Sequence, residues 1–178
     1  HFRGCDKWSG IVFFKSIIKI MRKKRIIVCG IVYSNNKVLP GRKAKGVPPY
    51  PDVWHTLGGG VKDTDKAEQL LLNNTYNASY FLEELRRELA EEAGIKINNS
   101  TNICPKYRDN PREAIAANKD GDETKYIFLE YLCELDLSSS DGRPGDDIAE
   151  LQWVEKKELR NIKLTPPSQE MYQELGWM

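Results

Sequence analysis

Arg87-Glu88-Leu89-Ala90-Glu91-Glu92-Ala93-Gly94-Ile95 is the stretch that organises the chain. It reads as the last two turns of a helix that begins near Ser79. Phe81, Leu82, Leu85, Leu89 and Ala93 recur at the three-and-four spacing of one buried stripe. Glu84, Glu88 and Glu92 follow one another at intervals of four, and Glu91 lies three after Glu88, so four carboxylates crowd another side. Like charges at that spacing repel, and Arg86 and Arg87 offset them only in part. A bound divalent cation would relieve the repulsion. Magnesium takes oxygen ligands and bridges carboxylates to substrate phosphates. Gly94 is placed to end the helix as its C-cap.

Upstream stands Trp54-His55-Thr56-Leu57-Gly58-Gly59-Gly60-Val61, where three glycines let the backbone turn sharply and pass close to a ligand. Together the two stretches resemble the Nudix hydrolases. That family's box is Gly, five residues, Glu, seven residues, then Arg-Glu-apolar-x-Glu-Glu-x-Gly-apolar. Residues 87–95 match its second half at every specified position. Gly59, the run from Gly60 to Thr64, and Asp65 match the first half, with Asp in place of Glu and Leu57 in place of the usual proline. Between Asp65 and Arg87 lie 21 residues (66 through 86) where the family has seven, so the resemblance implies an insertion of 14, placed mostly at 66–78. The insertion is free to gate the substrate, contact a second subunit or form a silent surface excursion.

The resemblance also implies roles. Glu91 and Glu92 fall where the family's primary metal ligands lie, and Glu88 falls where a further ligand or water-orienting base lies. The Gly58–Gly59 backbone supplies one carbonyl ligand, at Gly59. Arg87 orients the glutamates by a salt bridge, and Asp65 holds the first acidic position in a structural role. Mg2+ is the expected ion, with Mn2+ as a substitute. A further acid from a later loop is expected, with Asp122 and Glu123 in one candidate loop and Asp146, Asp147 and Glu150 near another. Arg42 follows a strand pair that leads, in the family, to a basic residue near the phosphates; a surface arginine is the competing reading. His55 either contacts a phosphate or is a hydrogen-bonded structural histidine, and Trp54 packs under the loop or stacks a base.

The remaining sequence fits one domain of this kind. The 178 residues suffice for a single core, and the net charge of +1 gives no field for nucleic acid or membrane. Cys5, Cys29, Cys104 and Cys133 show no C-x-x-C or zinc-like spacing, which reads as buried free thiols in a reducing, cytoplasmic compartment. Residues 1–24 read as a leader or extension, and 25–178 as the domain. The apolar run Ile11–Met21, interrupted by two lysines, is too short to span a bilayer and carries its basic cluster on the wrong side for a signal peptide.

Strands are expected at 26–34, 37–40, 95–97, 125–137 and 150–154, a turn at Asn35-Asn36, and a polar loop over 98–110. A short helical turn is expected at 111–117, and helices over 156–159 and from Pro166 to Leu175 after the Thr165 cap. This order implies an α/β fold, resembling the family's α/β/α sandwich with a mixed sheet. The expected activity is magnesium-dependent pyrophosphohydrolysis of a nucleoside diphosphate linked to another group, by a monomer or homodimer. Alternatives are an ADP-ribose or nucleotide-sugar pyrophosphatase, suggested by Pro111 lying 16 residues beyond Ile95, and a nucleotide-sensing module. An isoprenyl diphosphate isomerase is a further alternative on the same fold.

Overall fold

In a computed structural model of the chain, residues 23–97, 102–105, 111–118, 120–135 and 142–178 are described. Its centre is a parallel pair, β1 (Lys23–Ser34) and β8 (Glu123–Glu134), in register from Lys23 beside Thr124 to Tyr33 beside Glu134. A strand covered on both faces needs an almost unbroken apolar run, and Ile26–Val32 supplies one. On its other edge β1 pairs antiparallel with β2 (Lys37–Val38) and with β5 (Leu57–Gly60). β10 (Val154–Glu155) extends the sheet beyond β2, while β6 (Asn102–Pro105) and β7 (Arg112–Ala117) line the far edge of β8. β4 (Trp54–His55), β3 (Gly41–Lys43) and β9 (Ile148–Leu151) make a second, three-stranded sheet.

The pleat sends alternate residues of β1 to opposite faces, and each face meets a different helix. Val28 and Val32, with Leu129 and Cys133 of β8, join the core under α2 (Ser79–Ala93). Phe81, Leu85, Leu89 and Ala93 of α2 are 0% exposed, which is the expected stripe. The short α1 (Thr64–Leu72) adds Ala67 to this side. Ile31 points the other way, into a cluster with Val38, Leu159 and the α3 (Pro166–Glu174) residues Met171 and Tyr172. Helices therefore cover both faces of a mixed sheet, the α/β/α arrangement expected from the sequence.

Several elements differ from expectation. Residues 112–117 form an edge strand: alternation of half-buried and exposed side chains lets them pair along β8, and this outweighs the helix preference of three alanines. Ile95 and Ile97 are buried in the core without strand pairing. The expected loop at 98–110 contains β6, whose partner is β8. The strand expected at 150–154 is two short strands in different sheets, and 156–161 is a 3-10 turn. Residues 66–78 comprise most of α1 and the turn after it. The leader expected at 1–24 lies outside the described residues except at its end, where β1 begins at Lys23. Among the described residues, no helix is long and apolar enough to cross a membrane. Cys29 and Cys133 are buried free thiols.

Candidate active site

α3 covers only one end of the second sheet face. The uncovered end, with Ile27 and Cys29 of β1, Tyr126, Phe128 and Glu130 of β8 and Ala114 and Ala116 of β7, floors a pocket of about 420 Å3. The glycine bend lines it together with Arg87, Glu88, Glu91 and Glu92; Lys43, Tyr50, Asp146, Asp147, His55, Thr56 and Ser168 complete the lining, and the Gly145 N–H donates to the Glu92 carbonyl at 2.9 Å, which sets Asp146 beside the end of α2.

The glycines decide how near the helix comes. Gly58 has φ 140°, and a side chain there would overlap the Val28 carbonyl; one on Gly59 would overlap the Glu88 carboxylate. With no side chains in the way, α2 sets its acids directly against β5. Glu92 Oε2 accepts a hydrogen bond from the Gly58 N–H at 2.6 Å. Arg87 donates to the Gly60 carbonyl at 3.1 Å and forms ion pairs with Glu84 and Glu88 at 2.6 Å and with Glu91 at 2.7 Å. Arg87 alone sits among three of the four carboxylates, where its guanidinium presents several donors in one plane. Glu92 is the acid without that cation. Burial pushes its carboxyl up to about 8, with Glu88 and Asp146 adding to the rise and the Gly58 hydrogen bond opposing it. Burial also raises Glu88, against the pull of Arg87.

His55 places Nδ1 2.7 Å from the Thr56 carbonyl oxygen, so Nδ1–H donates and the neutral ring leaves Nε2 as an acceptor. Nε2 is buried without a hydrogen-bond partner, and burial holds the imidazole down at about 4. Thr56 N–H donates to Ser168 Oγ at 3.1 Å, which ties this corner to the first turn of α3.

Of the residues singled out in the sequence, Gly58, Gly59, Arg87, Glu88, Glu91, Glu92, His55, Asp146 and Asp147 meet at the pocket. The others lie elsewhere. Arg42 turns away to ion pairs with Glu150 at 2.7 Å and with Asp52, over the Trp54 ring. Trp54 packs beside the α3 cluster. Asp122 pairs with Lys23 at 2.7 Å, Glu123 is exposed at the start of β8, and Asp65 is exposed in the first turn of α1, where Asp63 is the N-cap. Three charged pocket residues were not singled out from the sequence: Arg25, Lys43 and Glu130. Glu130 carried a signal, because it shares the strand phase of Tyr126 and Phe128 and so had to lie on an inward face.

All the acidic donors are oxygens, the set that suits Mg2+ or Mn2+ rather than a softer ion. Among the described residues, no three such side chains converge into a finished metal cage, because Arg87 and the Gly58 N–H hold the carboxylates in place.

Comparison with known proteins adds the family. Residues 81–175, which are 95 of the 178, match the NUDIX domain. The chain is 25% identical over 143 residues to the nucleoside triphosphatase NudI of Klebsiella pneumoniae (strain 342), covering 80% of this chain and 89% of that one. The MutT protein of Methanosarcina mazei Go1 superposes with a TM-score of 0.61 at 15% identity, over 87% of this chain and 94% of that one. The NUDIX domain of Shewanella oneidensis NrtR, solved with ADP ribose, gives 0.61 at 12% identity, over 89% and 90%. Since the domain match takes in the larger half of the sequence, the chain belongs to the Nudix family, as a hydrolase of phosphoric anhydrides.

Proposed function

We propose that the protein is a pyrophosphohydrolase of nucleoside triphosphates or closely related nucleotides, dependent on a divalent cation. The observation that carries this reading is the seating of α2: its carboxylates face the triple-glycine bend at the edge of a pocket with cations on its walls. The NudI relatives, described as nucleoside triphosphatases, support the substrate class.

Glu91 and Glu92, with Glu88 and the Gly59 carbonyl, would hold Mg2+ or Mn2+, which when bound neutralises the charge that develops on the phosphates during cleavage. Lys43 and Arg25 both line the pocket and draw the polyphosphate against the glycine bend. Arg87 fixes the glutamates through its ion pairs, and the Gly58 N–H fixes Glu92. Glu88 orients the attacking water and takes its proton at the carboxylate oxygen beside Gly59. The water oxygen bonds to phosphorus as the anhydride P–O bond breaks, and the leaving phosphate takes the electron pair. Asp146 or Asp147, both at the pocket, supplies the additional acid.

Glu92→Gln keeps nearly the same shape and removes the charge. Turnover of nucleoside triphosphates in Mg2+ is expected to fall at least a hundredfold, with an unchanged circular dichroism spectrum. Full activity in this variant, or equal wild-type rates in Mg2+ and in EDTA, would refute the assignment.

A further inference from the structure

The pocket floor runs from the glycine bend to an aromatic side. Gly60 on β5, Ile27 on β1 and Phe128 on β8 are register partners, so Phe128 lies two strand spacings, about 10 Å, across the sheet from the bend. Tyr126 is two residues away on the same strand, and its ring is nearly parallel to that of Phe128, with centroids 6.3 Å apart and 21° between the planes. Both rings line the pocket, beside the small side chain of Ala114.

Tyr50 lines the same pocket but is not part of that floor. It belongs to residues 44–53, the loop joining β3 to β4 of the second sheet. The loop is pinned on either side of it: Lys43 Nζ donates to the Pro48 carbonyl at 3.2 Å, and Asp52 pairs with Arg42. Tyr50 itself has φ 61°, a left-handed backbone that a bulky residue adopts only at a cost in free energy. It is 37% exposed, and among the described residues its ring meets no other ring and its hydroxyl no hydrogen-bond partner. Burial raises the Tyr126 phenol, Arg25 opposes the rise and Tyr50 adds to it, which puts Tyr50 within electrostatic reach of the aromatic floor.

We propose that Tyr50 is a substrate-binding residue that forms one wall of a slot for the nucleobase, holding the flat face of the base against the Tyr126–Phe128 floor while the polyphosphate lies along the glycine bend. This rests on the nucleotide hydrolase reading above. Every base has a π-face whatever its edge carries, so stacking selects nucleotides over base-free polyphosphates and accepts one base as readily as another. The left-handed backbone, fixed by the two pins, holds the ring at the slot before substrate arrives. A ring already in place loses less freedom on binding.

Tyr50 lies outside the core, so replacing it leaves the fold intact. The test compares Tyr50→Leu, Tyr50→Phe and Tyr50→Gly with wild type in Mg2+. Kinetics use ATP and CTP, and calorimetry uses inorganic triphosphate and a methylene-bridged ATP analogue. Tyr50→Leu is expected to raise KM for both nucleotides, and Kd for the analogue, by on the order of tenfold with kcat little changed. The Kd of inorganic triphosphate, which has no base, stays at its wild-type value. Tyr50→Phe keeps the ring and recovers most of the loss. Tyr50→Gly should bind the analogue as weakly as Tyr50→Leu with a melting temperature no lower than wild type, because glycine adopts φ 61° freely. An unchanged KM in Tyr50→Leu, or an equal loss for inorganic triphosphate, overturns the inference and leaves the hydrolase reading standing. Tyr50→Phe as weak as Tyr50→Leu also overturns it, since the hydroxyl and not the ring would then hold the substrate. No hydrolysis of any nucleotide by wild type overturns the hydrolase reading instead, and the calorimetric comparison still decides the slot.

Discussion

A methyl group on Gly59 would overlap the Glu88 carboxylate, and that single collision states how little room the site has. Gly59→Ala is expected to push Glu88 off the bend without disturbing the core, since Gly59 is half-buried and has negative φ. Displacing a catalytic group by about an ångström costs on the order of a hundredfold in rate. Turnover should therefore fall by about that factor while the melting temperature moves little; wild-type kcat in this variant would separate Glu88 from the chemistry. The pocket cation shows what one residue's sequence can and cannot reveal. Arg42 and Lys43 are adjacent, both basic, and on one strand, so the pleat must send them to different places. Until the phase of β3 is fixed nothing in the sequence chooses between them. The structure gives Arg42 to Glu150 and Asp52 and gives Lys43 to the pocket, with a register shift between the two.

At the scale of the element, α2 was legible because two periodicities coincide in it. The apolar stripe fixes which side faces the sheet, and the carboxylates must then emerge at its border with β5. The end at Gly94, with φ 64°, follows from local sequence. β7 was illegible for the opposite reason. Arg112-Glu113-Ala114-Ile115-Ala116-Ala117 has helix-favouring residues, and its pairing partner β8 gives no local sign of the contact. The same separation hid Glu130, whose ion-pair partner Arg112 lies on a different strand, 18 residues away. The anchor of α2 can be tested directly. Leu89 is fully buried among sheet and helix side chains, and Leu89→Ala should cost about 2–5 kcal/mol in denaturant unfolding. One turn of α2 also carries Glu88 and Glu92, so the folded variant should lose activity more steeply than Ala substitution at the equally buried Met171 of α3. Equal losses would mean that the acids do not depend on the seating of the helix.

Across the whole molecule, two buried titrating groups pull stability in opposite directions with pH. The His55 imidazole is held down at about 4 by burial, below its ordinary 6.5, so the unfolded chain takes up the proton first as the pH falls. Its contribution is complete above pH 6.5 and is lost between there and pH 4. Glu92 is pushed up to about 8 from the ordinary 4.5, again by burial foremost, so its contribution is complete below pH 4.5 and is lost as the pH rises toward 8. From pH 4.5 to 6.5 the two slopes oppose each other. Between pH 6.5 and 8 only the Glu92 slope remains, about 1.4 kcal/mol per unit, or roughly 2 kcal/mol across that window. In EDTA the folded state should therefore weaken over this range, and Glu92→Gln should abolish most of the decline. A cation that needs ionised carboxylates binds better as the pH rises and adds stability by mass action. Millimolar Mg2+ should accordingly flatten or reverse the slope in the wild type and have less effect in the variant. Urea unfolding at pH 6.5 and 8, with EDTA or with Mg2+, measures all four cases. A flat wild-type profile in EDTA, or the same decline in Glu92→Gln, would show that the charge buried at Gly58 does not set the pH response of the fold.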